Sequence, residues 1–438
     1  MTNEPLIIAG RLLRFSSGAE MTTPPVGEEP SLASEALLIE HGRIAAIGER
    51  AALERRAPAA RVVDCGERIV APGFVDCHNH FAQSRIIASW GARLIDWLNG
   101  YTFPEEARFG EPAYARAVAE DYFDLLIANG VTSAASYCTI HPSSVDALFA
   151  AAEARNMRLT AGKVMMDRNA PDDLTDTAQS GYDESKALID RWRGRGRLTY
   201  AITPRFAPTS SEAQLAAAGA LWASNPDLPM QTHLSEQPEE IAWVRSLFPR
   251  DADYLAVYER HGLCGPGAIM GHAIHLEPRE RDALAATGAG VAHCPTSNAF
   301  IGSGLCDAAG LASAGVPVGL ATDVGGGSSF SMLATMRSAY EIAQLRGDRP
   351  TPAQIWRMAT EGSARVMRQA DRIGRLEIGM EADVIALDPA ATPVLAQRTA
   401  RAERASDLLF ALMILGDDRA ISETWIAGAP RKRLLDAG

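Results

Sequence analysis

No two of the six cysteines in this 438-residue chain form a C-x-x-C pair; they lie scattered at 65, 77, 138, 264, 294 and 306. That spacing excludes a zinc knuckle and a dithiol redox motif. Isolated cysteines in a long chain fit a reducing compartment. No apolar run reaches the ~18 residues of a membrane helix. The start, Met1-Thr2-Asn3-Glu4-Pro5, lacks the basic-then-apolar pattern of a secretory leader. The expectation is a cytoplasmic protein that does not enter a membrane. Positive charge is in deficit, with 42 Lys and Arg against 54 Asp and Glu, a net −12. Phosphate affinity rests on clustered cations, so this balance argues against nucleic acid or an anionic membrane as partner. A neutral heterocyclic base stays open. Low-complexity tracts are missing too, and a hydrophobic content of 47% can fill a sizeable core.

At ~150 residues per domain three domains would fit, but a barrel of ~250 residues counts as one. Apolar runs at 6–9, 36–40 and 43–47 read as strands, with His41-Gly42 as a turn. The Pro/Gly/Glu-rich stretch 22–31 reads as a hairpin loop. From residue 69 the pattern changes. Apolar, β-prone runs at 69–75, 131–138, 158–165, 198–202, 229–233, 268–273, 290–292 and 316–321 alternate with other segments. Those at 113–127, 144–153, 183–192, 212–222 and 279–286 have helical spacing. Parallel neighbours need a helical crossover, so the alternation predicts an α/β fold, a (β/α)8 TIM-type barrel over residues 69–375. Helical stretches at 332–346 and 352–369 then lead into strands at 382–387 and 423–426. Residues 1–68 and 376–438 are expected to pair as a smaller β-sandwich domain built from both chain ends.

The chemistry starts with Val75-Asp76-Cys77-His78-Asn79-His80. Strand alternation puts residues two apart on the same face, so His78 and His80 can share one metal ion. An isolated H-x-H is usually two polar loop residues. This pair instead ends the first barrel strand, after Pro72-Gly73, where barrel active sites lie. His233 ends the fifth run, His272 the sixth and Asp323 the eighth, and Glu236 follows His233 by three. Each alone has an ordinary reading, as a satisfied core histidine, a helix N-cap, or an acid at a helix N-terminus. Together they put metal-competent groups on one rim. Imidazole and carboxylate suit Zn²⁺ or Fe²⁺, and the carboxylates are too few for a calcium cage. The fourth run, Tyr200-Ala201-Ile202-Thr203-Pro204-Arg205, has no lysine that could be carboxylated to bridge a second ion, so a mononuclear site is expected. His275-Leu276-Glu277 copies the H-x-E of another zinc deaminase class, but no P-C-x-x-C follows. Gly325-Gly326-Gly327-Ser328-Ser329 lacks the P-loop lysine and reads as a flexible loop at the site mouth. His293 is expected to shape the site wall; neither it nor His141 is taken as a ligand.

The set Pro72-Gly73-Phe74-Val75-Asp76-Cys77-His78-Asn79-His80, His233-Leu234-Ser235-Glu236, His272 and Thr322-Asp323 resembles the amidohydrolase superfamily. The count of eight barrel strands also leans on that resemblance. Several segments narrow it to the guanine deaminase family: Tyr101-Thr102-Phe103-Pro104-Glu105-Glu106, Gly162-Lys163-Val164-Met165-Met166-Asp167, Thr203-Pro204-Arg205-Phe206, Ala292-His293-Cys294-Pro295-Thr296-Ser297-Asn298 and Leu415-Gly416-Asp417-Asp418-Arg419. The resemblance implies one Zn²⁺ per subunit, with Fe²⁺ as the alternative, held by His78, His80, His233 and Asp323. His272 would orient or polarise the attacking water, and Glu236 would carry protons to a ring nitrogen. Asp323 would take the water's proton and pass it to the departing ammonia. Gln83, Arg205, Phe206 and Glu236 would hold guanine, with Arg205 donating to O6. Gln83 also reads plainly as a helix-start amide, and Arg205 as the partner of a structural carboxylate. The implied reaction is hydrolysis of guanine to xanthine and ammonia in purine catabolism, by a homodimer. The alternatives are a deaminase of another purine, a pyrimidine or a triazine, and a non-catalytic barrel relative. The last tends to lose metal ligands, and all four are present.

Overall fold

The computed structural model describes residues 4–15, 29–91 and 93–432. Of the expected hairpin loop at 22–31, residues 22–28 lie outside that description. The chain opens with β1 (Leu6–Arg14), β2 (Ser31–Glu40), β3 (Arg43–Gly48) and β4 (Arg61–Pro72). Next come β5 (Phe74–His80), β6 (Val131–Tyr137), β7 (Arg158–Gly162), β8 (Val164–Met165), β9 (Leu198–Tyr200) and β10 (Thr203–Pro204). β11 (Met230–Leu234), β12 (Ala268–His272), β13 (Gly290–His293) and β14 (Val318–Leu320) follow. β15 (Val384–Leu387), β16 (Ile421–Ile426) and β17 (Ala429–Pro430) end the series.

Strands from both ends of the chain share one seven-stranded sheet, ordered β17-β16-β15-β4-β1-β2-β3. Alternation along β1 sends Leu6, Ile8 and Leu12 into one hydrophobic cluster and Ile7 and Ala9 into another. His41 and Gly42, at φ 51° and 75°, make the expected turn between β2 and β3. The run expected at 69–75 is two strands, not one. Ile69 to Pro72 complete β4 in the terminal sheet, and β5 starts at Phe74. Gly73 permits the change of sheet, because a Cβ there would sit 2.1 Å from Thr132 Oγ1.

β5-β6-β7-β9 and β11-β12-β13-β14 form two four-stranded parallel sheets. A parallel bridge between Ile202 and Met230 links them on one side. On the other, His80 N–H donates to Val324 O at 2.6 Å and Asp323 N–H to His78 O at 3.0 Å. Asp76 strengthens that seam, accepting from Thr322 N–H at 3.1 Å and Thr322 Oγ1 at 2.5 Å. The C-terminal ends of β5, β11, β12 and β14 therefore face one region.

Three of the intervening helices begin one or two residues before the expected runs, and a fourth, Pro238–Leu247, was not among them. Pro112–Ala128, Pro142–Arg155, Pro238–Leu247 and Pro278–Thr287 all open on proline. Proline fits a first helical turn, where its missing N–H has no intrahelical partner to lose. The helix Ala405–Leu415 was not expected, because its run of apolar residues shows little periodicity. It packs against Met332–Arg346, with the Tyr340 and Phe410 rings 4.9 Å apart.

A buried ion network joins β7 and the residue preceding β9 to the segment before β15. Arg158 donates to both oxygens of Glu381 at 2.9 and 2.5 Å. Arg197 donates to Glu381 Oε2 at 2.8 Å and to Asp383 Oδ1 at 3.0 Å. The side chains of Arg197, Glu381 and Asp383 are 10%, 7% and 3% exposed, so the pairing is little screened by water. Removing one partner of a buried pair strands the other's charge. Arg197→Met is expected to cost about 3 kcal/mol of unfolding free energy, measured by urea denaturation. An unchanged midpoint would mean that water already solvates these groups.

Candidate active site

β5 delivers His78 and His80, the end of β11 His233, the end of β12 His272, and the turn after β14 Asp323. His80 Nε2 lies 3.2 Å from His233 Nε2. Asp323 Oδ1 stands 3.4 Å from His78 Nε2 and 3.3 Å from His80 Nε2. His272 Nε2 is 3.8 Å from Asp323 Oδ2 and 3.5 Å from Glu236 Oε2. His272 and Asp323 adopt left-handed backbone, φ 68° and 49°, as does Ser235 beside Glu236, φ 48°. Non-glycine residues pay strain there, and such strain clusters at functional sites.

The protonation pattern follows from burial and hydrogen bonding. His233 Nδ1–H donates to Arg205 O at 2.7 Å, which leaves the Nε2 lone pair facing His80. Neither ring nitrogen of the fully buried His78 has a hydrogen-bond partner. Burial lowers the His78 pKa to about 4. Burial, together with the nearby imidazoles, pushes His233 well below its ordinary value. Burial would raise Asp323, but the His78 and His80 rings and the charge of His272 hold it well below the carboxylate range. Neutral imidazoles beside an ionised carboxylate, with orphaned lone pairs at the centre, are what a divalent cation needs from its ligands.

Ligand atoms of His78, His80 and His233 form one group within 4.8 Å of each other; those of His78, His272, Cys294 and Asp323 form another. Cys294 fits poorly as a ligand. Burial pushes its thiol pKa well up, and Sγ–H donates to Ala292 O at 3.3 Å, so it stays protonated.

Glu236 borders this cluster. Burial raises its pKa; the Asp323 carboxylate adds to that rise, while His272 opposes it. Its Oε1 accepts from Ser303 Oγ at 2.8 Å. Its backbone N–H and that of Gln237 donate to Glu240 Oε2 at 2.9 and 3.1 Å, which pins the turn. Burial works against a charged His272 ring, but the carboxylates of Glu236 and Asp323 outweigh it and raise its pKa. Its Nδ1–H is oriented by Asn298 Oδ1 at 2.9 Å.

Gln83, Arg205 and Phe206 line the same pocket, with Leu94, Trp97 and Ile301 as apolar walls. Arg205 does pair with a buried carboxylate: its Nη1 donates to Glu106 Oε2 at 2.6 Å. Gln83 Nε2 donates to the other oxygen of Glu106 at 2.8 Å. Both side chains still border the pocket, so each has a structural partner on one side and open space on the other.

Two expectations change here. The glycine segment after β14 is closely packed rather than open: a Cβ on Gly325 would fall 2.5 Å from Gln83 O, and one on Gly327 1.9 Å from Thr322 O. His293 is not in the site wall. It lines a separate cavity of about 500 Å³ with Cys306, Val316 and Ala339. His141 also lies outside the pocket, beside Gly110.

Sequence reasoning missed Glu106, Glu240, Asn298, Ser303 and Trp97 as contributors. Glu106 and Asn298 stand in segments that carried the family resemblance, and Glu240 occupies the acidic position of a capping box. Nothing local in the sequence marks Ser303 or Trp97.

Known proteins share this architecture. Residues 69–430 match the Amidohydrolase family. The guanine deaminase of Escherichia coli (strain K12) is 45% identical over 393 residues, covering 90% of each chain. A solved E. coli guanine deaminase structure superposes with a TM-score of 0.93 at 42% identity, covering 97% of this chain and 99% of that one. The C. acetobutylicum guanine deaminase with bound guanine in its active site gives a TM-score of 0.88 at 27% identity, covering 98% of this chain and 100% of that one.

Proposed function

The chain belongs to the guanine deaminases of the amidohydrolase family, and from that premise we propose that it hydrolyses guanine to xanthine and ammonia in purine catabolism. One observation carries the reading beyond family likeness: a polar wall of Gln83 and Arg205 shares one pocket with the imidazole–carboxylate cluster and Glu236. His78, His80, His233 and Asp323 would hold the ion, Zn²⁺ in preference to Fe²⁺, one per subunit, as this nitrogen and carboxylate set suits. When bound, it would supply a water acidic enough to be deprotonated near neutral pH.

The chain's own residues account for the remaining chemistry. Arg205 donates to O6 and Gln83 holds the adjoining edge of the purine, while Phe206 flanks the ring. His272 orients the attacking water. Glu236, its pKa raised by burial, can carry a proton to the ring nitrogen beside C2 as charge builds there. Asp323, held ionised, accepts the water's proton and passes it to the departing amine. Water addition at C2 and loss of ammonia then balance without a further reactant.

We place this site at the mouth of a (β/α)8 barrel over residues 69–375, with β5 as its first strand, since Ile69–Pro72 belong to the terminal sheet. The two parallel sheets and the contacts at both of their seams support that closure. Residues 1–68 and 376–438 are read as the two parts of a β-sandwich domain, supported by the separate hydrophobic clusters on the terminal sheet. Among the described residues no helix is long and apolar enough to cross a membrane. The unpaired cysteines fit a cytoplasmic setting. We expect a homodimer.

The test is ammonia release by zinc-loaded protein from guanine, adenine, cytosine, 8-oxoguanine and melamine. Xanthine as the dominant product is expected. Turnover confined to another base would sink the substrate assignment, and no ammonia from any of them would sink the enzyme reading.

A further inference from the structure

Glu106 lies behind the purine-facing wall, itself almost fully buried, and does not line the pocket. Its Oε1 accepts from Gln83 and its Oε2 from Arg205. The same short helix, Phe103–Ala107, also places the Phe103 ring 5.7 Å from the Arg205 guanidinium. One element therefore holds both polar members of the wall.

The chemistry of these groups restricts how they can face one another. A carboxylate accepts hydrogen bonds and donates none. A glutamine amide can turn over and present either oxygen or nitrogen to a neighbour. Against Glu106 it must present nitrogen, which puts Oε1 on the other side, where the Gly325 N–H makes a long contact of 3.4 Å. Oε1 keeps a lone pair for a donor. Arg205, with Nη1 committed to Glu106, keeps its other N–H groups as donors. The wall thus offers a donor and an acceptor in fixed order.

The geometry points to Glu106 as a positioning residue that sets this order, and so determines discrimination between 6-oxo and 6-amino purines. The inference rests on the purine reading above. A 6-oxo purine presents an acceptor at O6 and a donor at N1–H, which complements a donating Arg205 and an accepting Gln83. A 6-amino purine presents a donor at N6 and an acceptor at N1. Both contacts would then pair like with like in a buried site, the kind of mismatch that hydrogen-bonding pockets reject most strongly.

The test compares zinc-loaded wild type with Glu106→Gln. The amide introduced by that substitution can still offer oxygen to Arg205, but it then turns an N–H toward Gln83 and favours the flipped Gln83 amide. Two ratios are read. One is kcat/KM for guanine over 2,6-diaminopurine, which shares the 2-amino leaving group and inverts the 6/1 edge. The other is calorimetric affinity for hypoxanthine over adenine, which needs no turnover at C2. Both ratios are expected to fall about tenfold or more in Glu106→Gln, and to stay near wild type in Glu106→Asp, which keeps the carboxylate. Losses in Glu106→Gln that strike both members of each pair equally, leaving the ratios unchanged, would overturn the inference and mark Glu106 as merely structural. Failure of the wild type to turn over guanine would instead defeat the activity, while the hypoxanthine-to-adenine ratio would still judge Glu106.

Discussion

Exchanging Glu236 for glutamine is expected to lower kcat by about 10²- to 10⁴-fold, the usual share of a general acid–base group, while metal content stays unchanged. The substitution keeps size and polarity, so Ser303 can still bond to the side chain at this position, and the Glu240 contacts to the backbone of the turn are untouched. What disappears is a group that both gives and takes a proton. The Glu236 carboxyl suits that task because burial raises its pKa, the neighbouring Asp323 charge adds to the rise, and His272 stops it from going further. Steady-state kinetics with metal analysis of the same preparation would decide the matter. Turnover within a few-fold of wild type would remove Glu236 from proton transfer, and a parallel loss of metal would make its role structural.

Stripping divalent ions with a chelator is expected to reduce ammonia release to background and to lower the thermal midpoint, with Zn²⁺ restoring both. The reason lies in the donor set: the Nε2 atoms of His80 and His233 stand 3.2 Å apart beside the Asp323 carboxylate, and neither nitrogen of the buried His78 ring has a hydrogen-bond partner. An ion that binds the folded state and not the unfolded chain stabilises by mass action. Mg²⁺, which prefers oxygen ligands and keeps its waters, should not substitute. His78→Ala should bind little zinc and stay inactive after reconstitution. Full activity in protein shown to be metal-free would end the metallohydrolase reading.

Much of the site was legible because its parts obey local rules. Period-2 alternation put His78 and His80 on one face, and strand ends marked His233, His272 and Asp323. Helix starts were less legible, since proline breaks an apolar pattern yet suits a first turn, as at Pro112 and Pro142. The split at Gly73 was hidden for a different reason. Ile69 to Pro72 and Phe74 to Val75 are equally apolar, and which sheet each joins depends on partners far along the chain.

The sequence by itself determined the donor set, the acid beside it and the alternation of strands and helices, since these depend on residue type and short spacing. Tertiary structure alone decided which groups meet. Glu106 reaches Gln83 across 23 positions and Arg205 across 99, and Ser303 reaches Glu236 across 67. No local period encodes such distances. They arise when burial of apolar faces packs distant segments together, and the polar groups carried inward must then find partners. The imidazoles and carboxylates could be read as a list; the wall that tells one purine from another exists only once the chain has folded.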